Sequence, residues 1–165
     1  MTAKATIQNV LDEGFQAIMF GSPATFTTTG GVIDTLLGRA SNWAAAKVGA
    51  TAYAGVSDPS YALDCLVRAE TAYASQALWI RRTGFLDATV TVGLDAMNKG
   101  ALLSQARKSA DAAEADATFW IGEAQRALGV DVQADLYGTG ISSGRVETGT
   151  YPQVDSGALN YGGVQ

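Results

Sequence analysis

Ser60–Asp87 reads SYALDCLVRAETAYASQALWIRRTGFLD. Between Tyr61 and Ile80 almost every side chain is apolar or small. The exceptions are Glu70, Gln76 and a stripe formed by Asp64, Arg68, Thr71 and Ser75, which continues to Arg82. Steps of three and four residues along that stripe predict a helix. A polar stripe this narrow leaves most of the circumference to be covered, so the helix should be the central one, packed on several neighbours. Asp58 can accept the first free amide protons and Pro59 suits the first helical position, so the pair predicts the start. Gly84 predicts the end. Asp64 and Arg68 form an i,i+4 pair in the favourable order, worth about 0.2–0.5 kcal/mol.

The flanking segments supply the neighbours. Residues 32–48 place Ile33, Leu36, Leu37, Ala40, Trp43, Ala44 and Val48 at helical spacing, with Lys47 in the last turn and Gly49 beyond it. The threonines before Val32 are expected to cap this helix, and 21–31 and 49–57 read as loops. Residues 5–20 put Ile7, Val10, Leu11, Phe15, Ile18 and Met19 on one helical face, although Gly14 weakens the pattern and FQAIMF also suits a short buried strand. Residues 88–94 alternate like a strand or an extended connection. Residues 95–128 predict a long alanine-rich helix, with a possible break at Gly100. Its stripe runs from Leu103 through Ala106, Ala110, Ala113, Ala117 and Ile121 to Leu128, and Gly129 ends it.

From Val130 onward the period is lost. The 36 residues 130–165 hold seven glycines and five charged residues, yet apolar side chains are spread through them. A solvated tail is usually more charged and less apolar. The segment therefore reads as an extended arm that needs a surface. The expected fold is mainly α: a small antiparallel bundle of about four helices over 1–129, with an extended glycine-rich C-terminal arm over 130–165.

Composition narrows the function. The chain has 165 residues, a hydrophobic fraction of 47% and a net charge of −5. That supports a real core and argues against phosphate-driven nucleic-acid binding, which needs a basic excess. There is no histidine, which removes Ser-His-Asp and Cys-His nucleophiles and imidazole metal sites. Cys65 is the only cysteine, so no internal disulfide forms. No apolar run of membrane-spanning length occurs, and no secretory signal pattern opens the sequence.

The remaining motifs favour structural roles. GTGISSG (138–144) has the spacing G-x-G-x-x-x-G, one residue too long for a dinucleotide loop, with no strand before it and no helix after it. Cys65, mid-helix beside Leu66, suits a buried small hydrophobe. Asp111, Glu114, Asp116 and Glu123 share one helix with Arg107 and Lys108, which is the pattern of a solvated face. Trp43, Trp79 and Trp120 are expected in the core, with an interface anchor as the functional alternative. Arg82 continues the polar stripe and is expected to be a surface charge. Arg81 lies in line with Glu70, Ala74 and Ala77, a mostly buried row, and is the better candidate for an intersubunit ion pair. The expected interface residues are Arg81 and Trp79 in the bundle, and Tyr137, Ile141, Tyr151, Val154, Leu159 and Tyr161 in the arm. No catalytic, cofactor or metal site is expected.

VIDTLLGRASNWAAAKVGATAY followed by DPSYALDCLVRAETAYASQALWIRRTG resembles the head–tail adaptor (connector) proteins of tailed bacteriophages. The resemblance lies in a first core helix with Ile33, Ala40, Ser41 and Trp43, a connection with Tyr53, and a long alanine-rich helix with Ala69, Ala72 and Leu78 ending in Arg81 and Arg82. WIGEAQRALG (120–129) is similar to the family's last core helix. The resemblance covers residues 30–129; segment 1–25 departs from it. It implies a non-enzymatic virion protein of the neck, made in the bacterial cytoplasm. It also implies a ring of usually twelve copies under the portal that docks the next neck or tail protein, with DNA as passing cargo and no membrane partner. Adaptor C-terminal arms commonly reach the portal or a neighbouring subunit. The alternatives are another neck or tail component (a stopper or tail terminator), or a small cytosolic helical-bundle enzyme or ligand carrier.

Overall fold

The structure, a computed structural model, describes residues 1–88 and 94–130, with the backbone alone over 87–88 and 94–98. Its elements follow the chain as α1 (Ile7–Asp12), a 3-10 turn (Ala17–Phe20), α2 (Val32–Val48), α3 (Ala50–Gly55), α4 (Tyr61–Ala88) and α5 (Leu94–Ala127). Two of these five helices are single short segments, and α2, α4 and α5 carry the architecture. No strand occurs among the described residues. The strand or extended connection expected at 88–94 falls mostly outside them, as does the arm beyond Val130.

The central position of α4 holds. Its faces bury Cys65, Leu66, Ala69, Ala74 and Leu78 completely or nearly so. Ile33 and Leu37 of α2 pack with Ala74 and Leu78, while Ala44 and Val48 pack with Cys65 and Leu66, so α2 runs antiparallel to α4. Gln76 reaches Glu114 at 2.9 Å and Tyr61 reaches Glu123 at 3.3 Å, so α5 is antiparallel to α4 as well. The result is a small antiparallel helical bundle. Its core has two parts. One joins α2, α3, the first half of α4 and the end of α5. The other joins the N-terminal segment, the start of α2 and the second half of α4, with Phe20 stacked on Phe26 at 5.2 Å. On α5 the alanines 106, 110, 113, 117 and 124 are buried, which lets the helix lie close on α4.

Several boundaries differ from expectation, each for a local reason. α4 starts two residues later than Asp58-Pro59 suggests, because Ser60 Oγ accepts the Leu63 N–H at 3.1 Å and acts as the N-cap. It continues through Gly84, since residues on both sides of the glycine find partners: Arg82 Nη1 donates to the Met19 carbonyl, and the Phe85 ring lies against Gly21. Those contacts outweigh the roughly 1 kcal/mol cost of a mid-helix glycine. α2 has no threonine cap. Loop 21–31 folds back, so the Val32 and Ile33 amides donate to the Thr25 and Phe26 carbonyls at 3.1 and 3.3 Å. Gly31 is required there, because a Cβ would lie 1.8 Å from the Thr25 carbonyl oxygen.

The N-terminal segment is not one helix. Thr6 and Asn9 form a capping box for α1, and Gly14 then turns the chain at φ +89°. The 3-10 turn that follows leaves Ile18 72% exposed, off the expected core face. Segment 49–57 is not a loop throughout: Ala50–Gly55 form α3, which buries Tyr53. α5 passes Gly100 without a break. It ends in a Schellman motif, with Gly129 at φ +66°, Val130 N–H donating to the Gln125 carbonyl and Gly129 N–H to that of Arg126.

Candidate functional site

The two expected interface residues of the bundle lie in different places. Arg81 is exposed. Its row is buried at Glu70 and Ala74, but Arg81 stands at the rim of α2, beside Thr35, Leu36 and Arg39, and reaches solvent. Arg82 is the anchored member of the pair: it donates to the Met19 carbonyl and lies over the Phe85 ring, 5.6 Å from its centroid. The expected roles of the two arginines are thus exchanged with respect to burial. Trp79 is partly buried against Phe15, at 5.1 Å between centroids, and belongs to the core cluster. Tyr137, Ile141, Tyr151, Val154, Leu159 and Tyr161 lie outside the described residues.

Arg81 shares a notch of about 300 Å³ with Arg39, Thr35, Leu36 and Gly31. Arg39 is also exposed. Neither guanidinium has an ion pair or hydrogen bond among the described residues. Two cations held around one small notch repel each other, so this is a ready position for a carboxylate from outside.

A larger cleft of about 470 Å³ opens on another face of α4. Its floor is Arg68, Thr71, Ser75 and Trp79 of α4. One wall is the end of α1 with Asp12, Glu13 and Phe15 beyond it, and the other is α5 with Ala112, Asp116 and Trp120. The polar stripe expected to face solvent is therefore partly enclosed: Thr71 and Ser75 are 7% and 5% exposed. Thr71 Oγ1 donates to the Val67 carbonyl at 2.8 Å, whereas Ser75 Oγ has no partner. The Arg68 guanidinium lies 4.6 Å from the Trp120 ring centroid. The titratable lining is three carboxylates against one guanidinium, and aromatic rings stand at both ends. Of the four carboxylates expected on a solvated face, Asp111, Glu114 and Asp116 are exposed, and Asp116 also borders this cleft.

Sequence reasoning missed the strongest polar feature. Glu70 is 0% exposed. Its Oε2 accepts the backbone N–H groups of Lys4 and Ala5 at 2.7 and 2.8 Å, and its Oε1 accepts the Tyr53 hydroxyl at 2.5 Å. The Tyr53 oxygen also lies 3.1 Å from the Thr2 carbonyl. Lys4 Nζ donates to the Val56 carbonyl. Burial raises the Glu70 pKa, against the opposing pull of the Ala5 amide, Tyr53, the Lys4 amide and the Lys4 charge. Burial and the neighbouring carboxylate also raise Tyr53. The only available signal was one acid in an otherwise apolar row. Glu70 fastens the N-terminal segment to the middle of α4.

Cys65 is fully buried, and burial is the main cause that pushes its thiol up, so it is a packing residue rather than a nucleophile. Among the described residues no group of three or more Cys, Asp or Glu side chains could hold a metal ion, and no helix is long and apolar enough to cross a membrane. Compared with protein-family models, curated proteins and solved structures, the chain matches none.

Proposed function

We propose that the chain is a structural subunit of a tailed-phage neck, a head–tail adaptor that forms a ring under the portal, extends the DNA channel and docks the next neck or tail protein. The observation that carries this reading is the order and make-up of the bundle. A first core helix (α2) is followed by an aromatic connection with Tyr53. A long alanine-rich helix (α4) reaching Arg81-Arg82 comes next, then a last helix (α5) whose end and C-cap carry Trp120–Gly129. This is the pattern on which the family resemblance rests. Two further features support it. Large apolar side chains stand exposed at Tyr61, Ile80 and Phe119, as docking surfaces require. The net charge of −5 suits a channel through which DNA slides without being held. Stopper and tail-terminator proteins are typically β-rich, which the all-helical described residues argue against.

The test is to mix the full chain with the portal ring of the same phage and weigh the products by mass photometry. The expected product is a portal carrying a ring of additional copies, twelve in the usual case; portals that gain no mass refute the reading. A small-molecule carrier is the second reading, favoured by the cleft on α4. Native mass spectrometry showing a stoichiometric bound compound would put it first.

A further inference from the structure

The notch and the cleft are complementary in charge and chemistry, and they have separate linings on different sides of α4. Arg81 is displaced from the cleft-floor residues Thr71, Ser75, Arg68 and Trp79 by roughly 80–160° around α4, at 100° per residue. It therefore cannot enter the cleft of its own chain. On one side the molecule presents two guanidiniums without partners, Arg39 and Arg81. On the other it presents a cleft with Asp12, Glu13 and Asp116 at its edges and Trp79 and Trp120 at its ends. Asp12 accepts from Gln8 Nε2 at 2.7 Å, while the Glu13 and Asp116 carboxylates have no hydrogen bond or ion pair among the described residues.

The chemistry of the cleft suits guanidinium in particular. It already holds one, since Arg68 lies over the Trp120 ring. A planar cation gains from an aromatic face and from the fork of a carboxylate together, which an ammonium ion does less well. The lining remains net negative with Arg68 in place, so a further cation is attracted rather than repelled.

We propose that the cleft between α1 and α5 receives the Arg39–Arg81 edge of a second copy of this chain. Copies then join head to tail, through two different surfaces. Such a contact is heterologous: each copy uses both surfaces, and repetition closes a ring or extends a filament according to the rotation between copies. Two copies cannot satisfy both surfaces as a symmetric pair using one self-complementary patch. The inference rests on the reading of the chain as a ring-forming subunit, and supplies the contact that this reading leaves unnamed.

Charge exchange tests it on the full chain. One variant carries Arg39→Glu and Arg81→Glu; the other carries Glu13→Arg and Asp116→Arg. All four positions are exposed, so circular dichroism should show both variants folded. Sedimentation velocity over a concentration series is then read for wild type, each variant and their equimolar mixture. Each variant alone should associate about a hundredfold more weakly than wild type, since like charges now meet at the contact. The mixture should recover association, because each arginine-bearing surface again finds carboxylates. Bismaleimide should link a chain carrying Arg81→Cys to one carrying Asp116→Cys, and should not link two Arg81→Cys chains; Cys65 is buried and silent. A mixture no better than its components, a wild type that neither associates nor cross-links, or a cleft filled by a co-purifying small molecule or another protein's basic segment overturns the proposal. Wild-type rings indifferent to all four changes overturn this contact while leaving the adaptor reading in place. Failure to load onto the portal, with the charge exchange working, does the reverse.

Discussion

Replacing Glu70 by alanine should be among the most damaging single changes in the bundle. The substitution orphans two enclosed donors, the Lys4 and Ala5 amides, and leaves the Tyr53 hydroxyl only the Thr2 carbonyl 3.1 Å away. At about 1–3 kcal/mol for each unsatisfied buried group, the ceiling is about 2–6 kcal/mol. The chain has an escape, however. The Met1–Ala5 segment can lift away and regain water, giving up the burial of Ala5 and part of the cluster around Val10. That limits the loss to about 2–4 kcal/mol, still a large share of the roughly 5–15 kcal/mol that holds a domain together. Glutamine at the same position keeps one oxygen for the two amides. Its NH₂ can donate to the Tyr53 oxygen, which then donates to the Thr2 carbonyl 3.1 Å away. Glu70→Gln should therefore cost only about 1–2 kcal/mol. Urea unfolding followed by tryptophan fluorescence measures both. If Glu70→Ala lies within about 0.5 kcal/mol of wild type, the range of an ordinary surface change, then the carboxylate does not fasten the segment.

Four other outcomes are expected. Because burial raises the Glu70 pKa, the folded chain keeps a proton that the unfolded chain has lost. Its contribution is full below the unfolded carboxylate pKa and declines as pH rises toward the folded value. Wild type should accordingly lose stability relative to Glu70→Gln as pH leaves the usual carboxylate range upward, and parallel pH profiles of the two proteins count against it. Gly31→Ala should cost more than about 3 kcal/mol by chemical denaturation, since its Cβ would meet backbone oxygen at 1.8 Å and the loop capping α2 must shift; a near-neutral result refutes that geometry. Arg82→Ala should cost about 1–2 kcal/mol through the lost bond to the Met19 carbonyl, while Arg81→Ala should leave thermal stability within about 0.5 kcal/mol of wild type, and the reverse order in a melting experiment contradicts both placements. Cys65 should react with a thiol reagent only as fast as the chain opens, so immediate labelling of native protein contradicts its burial.

What the sequence revealed and what it hid divide along a physical line. α2 was legible because its pattern and its glycine boundary at Gly49 lie within the helix and its next residue. The alanine stripe of α5 and the stop at Gly129 were legible for the same reason. The central role of α4 followed from its narrow polar stripe. Long-range contacts were not legible. Glu70 binds amides 65 and 66 positions earlier, and no local spacing signals that. Which of Arg81 and Arg82 is exposed depends on how α2 lies beside α4 and where the 3-10 turn presents the Met19 carbonyl. The cleft is further still from local pattern, since its two walls come from α1 and α5 at opposite ends of the bundle's sequence. Ile18 was misplaced by one residue's conformation: Gly14 at positive φ ends a helical face that the spacing alone would continue.

These long-range features are linked, which ties the stability of the N-terminal segment to the proposed assembly surface. Glu70 holds Lys4 and Ala5; Thr6, the next residue, caps α1; and α1 ends at Asp12, where the acidic wall of the cleft begins. α1 is short and has little stability of its own, so its position depends on that anchor and on Val10 in the core. Releasing the anchor would free the wall before the pairing of α4 with α5 is disturbed, because the buried alanines of α5 lie against α4, away from Glu70's partners. The cleft, unlike the bundle, therefore depends on a buried carboxylate it does not contain. The N-terminal segment, residues 1–25, thus supplies one side of the surface proposed to join the chain's copies.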